Sequence, residues 1–218
     1  MANFGQSTGR ISEFQQIEAT GSLYVDRTMS ANKLSHIPKP IVLVGLMGAG
    51  KTCIGKRLAQ RLGLPFIDAD DEIEKAADCS IDDIFELYGE SAFRDGERRV
   101  IARLLNGPVH VLATGGGAFV NDDTRAQVKA TAISIWIRAD IELLLSRTGR
   151  RNNRPLLKNT DPRKKLEALI EERYPAYEQA DIVIESGRES PDVTVDQSLA
   201  ALEDLLLSAD HSIADAQR

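Results

Sequence analysis

The sequence predicts an α/β fold: a five-stranded parallel sheet flanked by helices, with a small helical insertion and a mobile lid. Three observations predict it. Beyond Pro40, short β-rich runs alternate with helical stretches. The runs are apolar at consecutive positions, as strands covered on both faces must be. The first run also passes into a helix through "GLMGAGKT" (Gly45–Thr52), which has the glycine spacing of a phosphate cradle.

In chain order, residues 1–38 are polar, without sustained periodicity and dotted with Gly, Ser, Thr and Asn, which predicts a disordered extension. "IVLVG" (Ile41–Gly45) is the first strand, and residues 50–62 form a helix with Ile54, Leu58 and Leu62 on one face. "PFIDAD" (Pro65–Asp70) is the second strand, followed by a helix over 71–77. Ser80 with Asp83 three residues on resembles a capping box and opens a helix over 80–88, with another over 91–105. "VHVLAT" (Val109–Thr114) and "AISIWIR" (Ala132–Arg138) are the third and fourth strands, each followed by a helix, at 122–129 and 140–147. "TGRRNNRPLLKNTD" (Thr148–Asp161) is polar, interrupted by Pro155 and too long for a tight connection, so it reads as a mobile lid over about 148–160. A helix over 162–179, the strand "DIVIES" (Asp181–Ser186), a helix over 192–207 and a frayed tail over 209–218 complete the chain. The folded domain is thus expected over 39–208, with the helical insertion at about 68–98.

At 218 residues the chain suits one domain. Its 27 basic and 33 acidic residues, net charge −6, argue against a nucleic-acid partner held by bulk charge. Cys53 and Cys79 make no disulfide framework, so a reducing compartment is expected. No apolar run approaches the roughly 18–20 residues of a membrane helix, and no basic-then-apolar start marks a secretory signal. A cytoplasmic protein is expected, with neither membrane nor nucleic acid as partner.

The cradle defines the first group of candidate residues. Gly48, Ala49 and Gly50 let backbone N–H groups converge on phosphate oxygens, and the helix N-terminus adds a favourable dipole. Lys51 neutralises β- and γ-phosphate charge, and Thr52 offers a hydroxyl to Mg²⁺. Cys53 is counted with these ATP-binding positions, and reads as a small buried hydrophobe rather than a reactive thiol. The carboxylates that such a site requires stand after the second strand. Asp68 and Asp70, two apart on extended chain, project to one side. Asp68 then holds Mg²⁺ through water, and Asp70 meets a substrate hydroxyl. The alternative for Asp70 is a cap on a helix starting at Asp71.

Two arginines fall where apolar residues belong. Arg173 lies within the stripe Leu166, Leu169, Ile170, Tyr177, with Pro175 two residues on. Arg94 stands one turn before Glu97, which itself interrupts the stripe Phe93, Val100, Ile101, Leu104. Glu97 can hold Arg94 in one orientation, and two planar forks suit a carboxylate or phosphate. An intrahelical surface pair plus a snorkelling arginine is the plainer alternative. Arg147, Arg150, Arg151 and Arg154 cluster in an otherwise acidic chain. They suit either a solvated basic face or a lid that lays an arginine over a transferring phosphoryl group. Gly115–Gly117 follow the third strand directly, so either the turn needs unusual dihedrals or a ligand lies against bare backbone.

Together these motifs resemble shikimate kinase over about residues 40–186: GLMGAGKT, DAD at Asp68–Asp70, "FRDGE" at Phe93–Glu97, GGG at Gly115–Gly117, "RPLL" at Arg154–Leu157 and "RYPAY" at Arg173–Tyr177. The resemblance implies the nucleoside-monophosphate-kinase fold and ATP- and Mg²⁺-dependent phosphorylation of the shikimate 3-hydroxyl, on the route to chorismate and the aromatic amino acids. It implies that Asp70, Arg94, Arg173 and the glycines, Gly116 foremost, bind shikimate. Lys51, Thr52 and Asp68 then serve ATP and Mg²⁺, Arg154 reaches both substrates, and Arg147 and the loop around Gly187–Pro191 lie near the adenine. A monomer is the family default. The alternatives are a gluconate-kinase-like enzyme acting on another hydroxy acid, and a non-catalytic nucleotide-binding regulator.

Overall fold

In a computed structural model of the chain, residues 37–148 and 161–216 are described. Five parallel strands, β1 (Ile41–Val44), β2 (Phe66–Asp68), β3 (Val111–Ala113), β4 (Ile133–Arg138) and β5 (Ile182–Glu185), form one sheet in the order β2-β3-β1-β4-β5. β1 is flanked on both sides: Val42 pairs with Leu112 of β3 and with Ser134 of β4. The continuous apolar runs follow from this placement, since β1 and β3 are buried at every position. The edge strand β5 instead alternates, Ile182 and Ile184 turned inward and Val183 44% exposed.

Seven helices complete the fold among the described residues: α1 (Lys51–Leu62), α2 (Ala69–Ala77), α3 (Ile81–Leu105), α4 (Asp122–Thr131), α5 (Ile141–Thr148), α6 (Pro162–Tyr177) and α7 (Pro191–Ala216). α3 contains the two helical stretches expected over 80–88 and 91–105, separated at Gly89, whose φ of 78° breaks the helical path. Ser80 and Asp83 form the reciprocal capping box at its start. α7 continues past the expected 207 to Ala216, for no Gly or Pro after Pro191 stops it. Ile37, at the end of the expected extension, packs into the main core. A smaller apolar cluster of Ile73, Ile84, Phe93 and Val100 joins α2 to α3 and makes the insertion a separate lobe beside the cleft. Among the described residues no helix is long and apolar enough to cross a membrane.

One boundary differs from expectation in a way that affects the site. β2 ends at Asp68 and the helix starts at Ala69, so Asp70 is helical rather than extended. The cap is Asp68, whose Oδ1 accepts from the Asp70 N–H at 3.2 Å. The acids at Asp70, Asp71 and Glu72 then fill the first turn, where the helix dipole favours them.

Candidate active site

The loops after β1, β2 and β3 meet at the carboxyl edge of the sheet, where open α/β sheets bind ligands. They border a cleft of about 1270 Å³ that gathers the cradle, Asp68, Asp70, Arg94, Arg173 and the triple glycine.

The cradle is built for an anion. Gly50, at the N-cap of α1, has φ 104° and offers no side chain to the helix end, which leaves the first amides for a ligand. Lys51 Nζ folds back on the loop carbonyls of Gly45 at 2.8 Å and Leu46 at 3.1 Å. Thr52 Oγ1 donates to Asp68 Oδ2 at 2.9 Å. Cys53 departs from expectation: it is exposed, because the buried face of α1 is Ile54, Gly55, Leu58 and Ala59. Its Sγ lies 2.9 Å from Arg57 Nη1.

Arg147 is fixed rather than part of a lid. It sits on the last turn of α5 and donates to the carbonyls of Gly48, Ala49 and Gly187 and to Ser186 Oγ, at 2.9–3.4 Å. It thereby ties the cradle to the loop between β5 and α7, and Gly187, Glu189 and Pro191 of that loop border the same cleft. Arg150, Arg151 and Arg154 lie outside the described residues.

At the other end of the cleft, four charged side chains surround the glycines. Arg94 Nη1 donates to Glu97 Oε2 at 2.8 Å, while Nε and Nη2 meet Glu90 Oε1 at 3.3 and 3.1 Å. Glu97 is 3% exposed and its Oε1 has no hydrogen-bond partner. Burial pushes the Glu97 carboxyl up, against the pull of Arg94 and Arg173. For Arg94 burial works the other way, but Glu97 and Glu90 outweigh it and hold the guanidinium more firmly charged. Arg173 is 6% exposed, and its one ion pair among the described residues is to the exposed Glu172, whose Oε1 accepts from Nε at 3.4 Å. A guanidinium this deep requires an anion nearby. Burial, then Asp68, raise the Asp70 carboxyl to about 6, with Lys51 opposing.

The glycines owe nothing to unusual dihedrals, for none of the three has a positive φ. Their lack of a side chain makes room. A Cβ on Gly115 would stand 2.7 Å from Glu97 Oε1 and 3.1 Å from Asp70 Oδ1. On Gly117 it would stand 2.5 Å from Arg94 Nη1, and on Gly116 3.4 Å from Arg173 Nη1. Gly115 and Gly117 therefore let Glu97 and Arg94 approach the loop backbone, whereas a Cβ on Gly116 would only touch Arg173.

Two contributors are additional to the sequence reading. Glu90, four residues before Arg94, carries a helical i,i+4 signal that was legible. The Tyr177 hydroxyl, which donates to the Gly116 carbonyl, was hidden because the residue reads as part of an apolar stripe.

The arrangement can place a polyphosphate and a small anionic hydroxy compound end to end. Thr52 and Asp68 are the oxygen donors at the junction, hard ligands suited to Mg²⁺, which keeps most of its waters. Among the described residues no cluster of three or more His, Cys, Asp or Glu suits a metal, so any ion here depends on the phosphates for its other ligands.

A family model for shikimate kinase matches residues 47–203. A shikimate kinase of Paramagnetospirillum magneticum is 61% identical over 160 residues, 73% of this chain and 82% of the relative. One from Caulobacter vibrioides is 58% identical over 164 residues, 75% of this chain and 82% of the relative. The solved shikimate kinase from Acinetobacter baumannii in complex with shikimate superposes with a TM-score of 0.75 at 38% identity, covering 82% of this chain and 98% of that one.

Proposed function

The chain belongs to the shikimate kinase family, and from that premise we infer that its cleft holds ATP on the cradle and shikimate against the triple glycine. The protein is an ATP-dependent kinase that phosphorylates the 3-hydroxyl of shikimate, giving shikimate 3-phosphate. The observation that carries the site reading is the convergence of two guanidinium groups and two carboxylates on bare backbone at the far end of a phosphate cradle.

In this reading Arg94 and Arg173 bind the shikimate carboxylate. Asp70 accepts a hydrogen bond from the 3-hydroxyl and turns its oxygen toward the γ-phosphorus. The oxygen forms the new P–O bond as the bond to the ADP oxygen breaks, and the hydroxyl proton passes to Asp70 or to the product phosphate. The charge of the leaving ADP is met by Lys51 and by the amides of Gly48, Ala49 and Gly50. Cys53, at the exposed first turn of α1, borders the same phosphates. Arg147 flanks the adenine side, and Arg154 contributes positive charge to both substrates. Thr52 and Asp68 would hold Mg²⁺, and its charge would offset the negative charge of the phosphates. We further assign the protein to the cytoplasm as a monomer, with ATP and shikimate as its partners. A coupled ADP-release assay with shikimate, with gluconate and with no acceptor tests the reading. Release with shikimate alone is expected, and turnover of gluconate at a similar rate would overturn it.

A further inference from the structure

We propose that Tyr177 is a positioning residue for the substrate anion: its hydroxyl orients the Gly116–Gly117 peptide so that the Gly117 N–H faces the cleft. The inference rests on shikimate being the substrate.

Tyr177 is fully buried at the end of α6, one turn beyond Arg173, and its hydroxyl donates to the Gly116 carbonyl. The ring has little freedom. Trp136 packs against it at 5.8 Å between centroids and Tyr174 at 6.2 Å. Tyr174 is itself held by a bond from its hydroxyl to the Ala139 carbonyl at 3.2 Å.

A trans peptide is planar, so the C=O of one residue and the N–H of the next point in opposite directions. With the Gly116 carbonyl drawn inward to Tyr177, the Gly117 N–H points outward, on the side where the glycines border the cleft. Among the described residues nothing accepts from that N–H. The loop's own backbone bonds, from the Ala118 N–H to the Gly115 carbonyl at 3.3 Å and from the Val120 N–H to the Gly117 carbonyl at 3.1 Å, do not engage the Gly116–Gly117 peptide, which Tyr177 holds. Burial also pushes the phenol above its usual range, so the hydroxyl remains a donor throughout the working pH range. Tyr177 thus orients a backbone donor beside Arg173, and both serve one anion.

The test is steady-state kinetics on Tyr177→Phe and on a variant with 4-aminophenylalanine at 177, which restores a neutral donor on the same ring. Tyr177→Phe should raise the KM for shikimate by about tenfold, the scale of one directed hydrogen bond, with the KM for ATP within about twofold of the parent. The 4-aminophenylalanine protein should recover most of the shikimate KM. Equal rises in both KM values, an unchanged shikimate KM, or failure of the aniline to restore it would overturn the inference. So would a Tyr177→Phe protein that does not fold, since the hydroxyl would then serve the fold itself. A parent enzyme that releases no ADP with shikimate would overturn the substrate reading and this inference with it. An active parent with an unaffected Phe variant overturns the inference alone.

Discussion

Thr52 Oγ1 donates to Asp68 Oδ2 at 2.9 Å, and the contact passes over the end of a strand that separates their own. Thr52 follows β1 and Asp68 ends β2, yet β3 lies between those strands in the sheet. The glycines that follow β3 therefore sit just beyond the point where the cradle and the acidic strand end meet. Cradle, carboxylates and bare backbone are adjacent because of strand order, and no long loop is needed to bring them together.

The Thr52–Asp68 pair predicts a metal-specific defect. Asp68→Asn should keep the fold, because Asn caps a helix about as well as Asp and Asp68 is the cap of α2. The amide is a poorer partner for magnesium-bound water, so the Mg²⁺ concentration at half-maximal velocity should rise several-fold. Titration of velocity with Mg²⁺ measures it; an unchanged requirement would remove Asp68 from the metal site.

Asp70→Asn separates activity from stability. Its turnover should fall by roughly 10²–10⁴-fold, the loss expected when a group that orients or accepts a reacting proton is removed. Helix capping does not confuse this result, since Asp70 is not the cap. Stability should move the other way. Between about pH 4 and 6 the folded protein keeps a proton on Asp70 that the unfolded chain has released. Its contribution is complete below the unfolded value and is lost as pH rises through about 6, by at most about 3 kcal/mol. Without metal or nucleotide at pH 7.5, the Asn variant should melt higher than the parent, and the gap should close toward pH 4. A gap that does not change with pH would mean that Asp70 ionises without penalty.

The sheet was legible because consecutive apolar positions and the cradle left little choice of architecture. Arg173 and Glu97 were legible for a related reason: a charge inside an apolar stripe conflicts with the periodicity around it, and both residues are buried. The strand-to-helix boundary at Asp68 was not, because "DADD" offers several capping acids and only tertiary packing of Ala69 chooses among them. Cys53 was misjudged since its type favours burial, whereas the first turn of α1 faces the cleft. The tyrosine hydroxyl at 177 carries no periodic signal, as the ring satisfies the apolar pattern by itself.

Arg94 is held at both edges of its fork, by Glu97 and by Glu90, so charge alone does not replace it. Arg94→Lys should weaken shikimate by about 1.5–3 kcal/mol, roughly 10–150-fold in KM, with the KM for ATP little changed. Comparable damage to both constants would point to a structural role for the Arg94–Glu97 pair.

Gly117→Ala should act through Arg94 and not through the backbone. Gly117 has an ordinary negative φ of −99°, so alanine fits the local conformation without strain. Its methyl would instead stand 2.5 Å from Arg94 Nη1 and 2.8 Å from Cζ, closer than such atoms can approach. These atoms are the far end of a flexible side chain, so the guanidinium moves while the loop stays. The fold should therefore survive, with a melting temperature within a few degrees of the parent. The KM for shikimate should rise about tenfold or more, in line with loss of one charge-assisted contact. A double-mutant cycle makes the mechanism testable, because residues acting through one contact are not additive. With Arg94→Ala already in place, adding Gly117→Ala should raise the KM for shikimate by less than about twofold. Full additivity would mean that the glycine serves the substrate directly, by leaving room for the ring, and that its closeness to Arg94 is incidental.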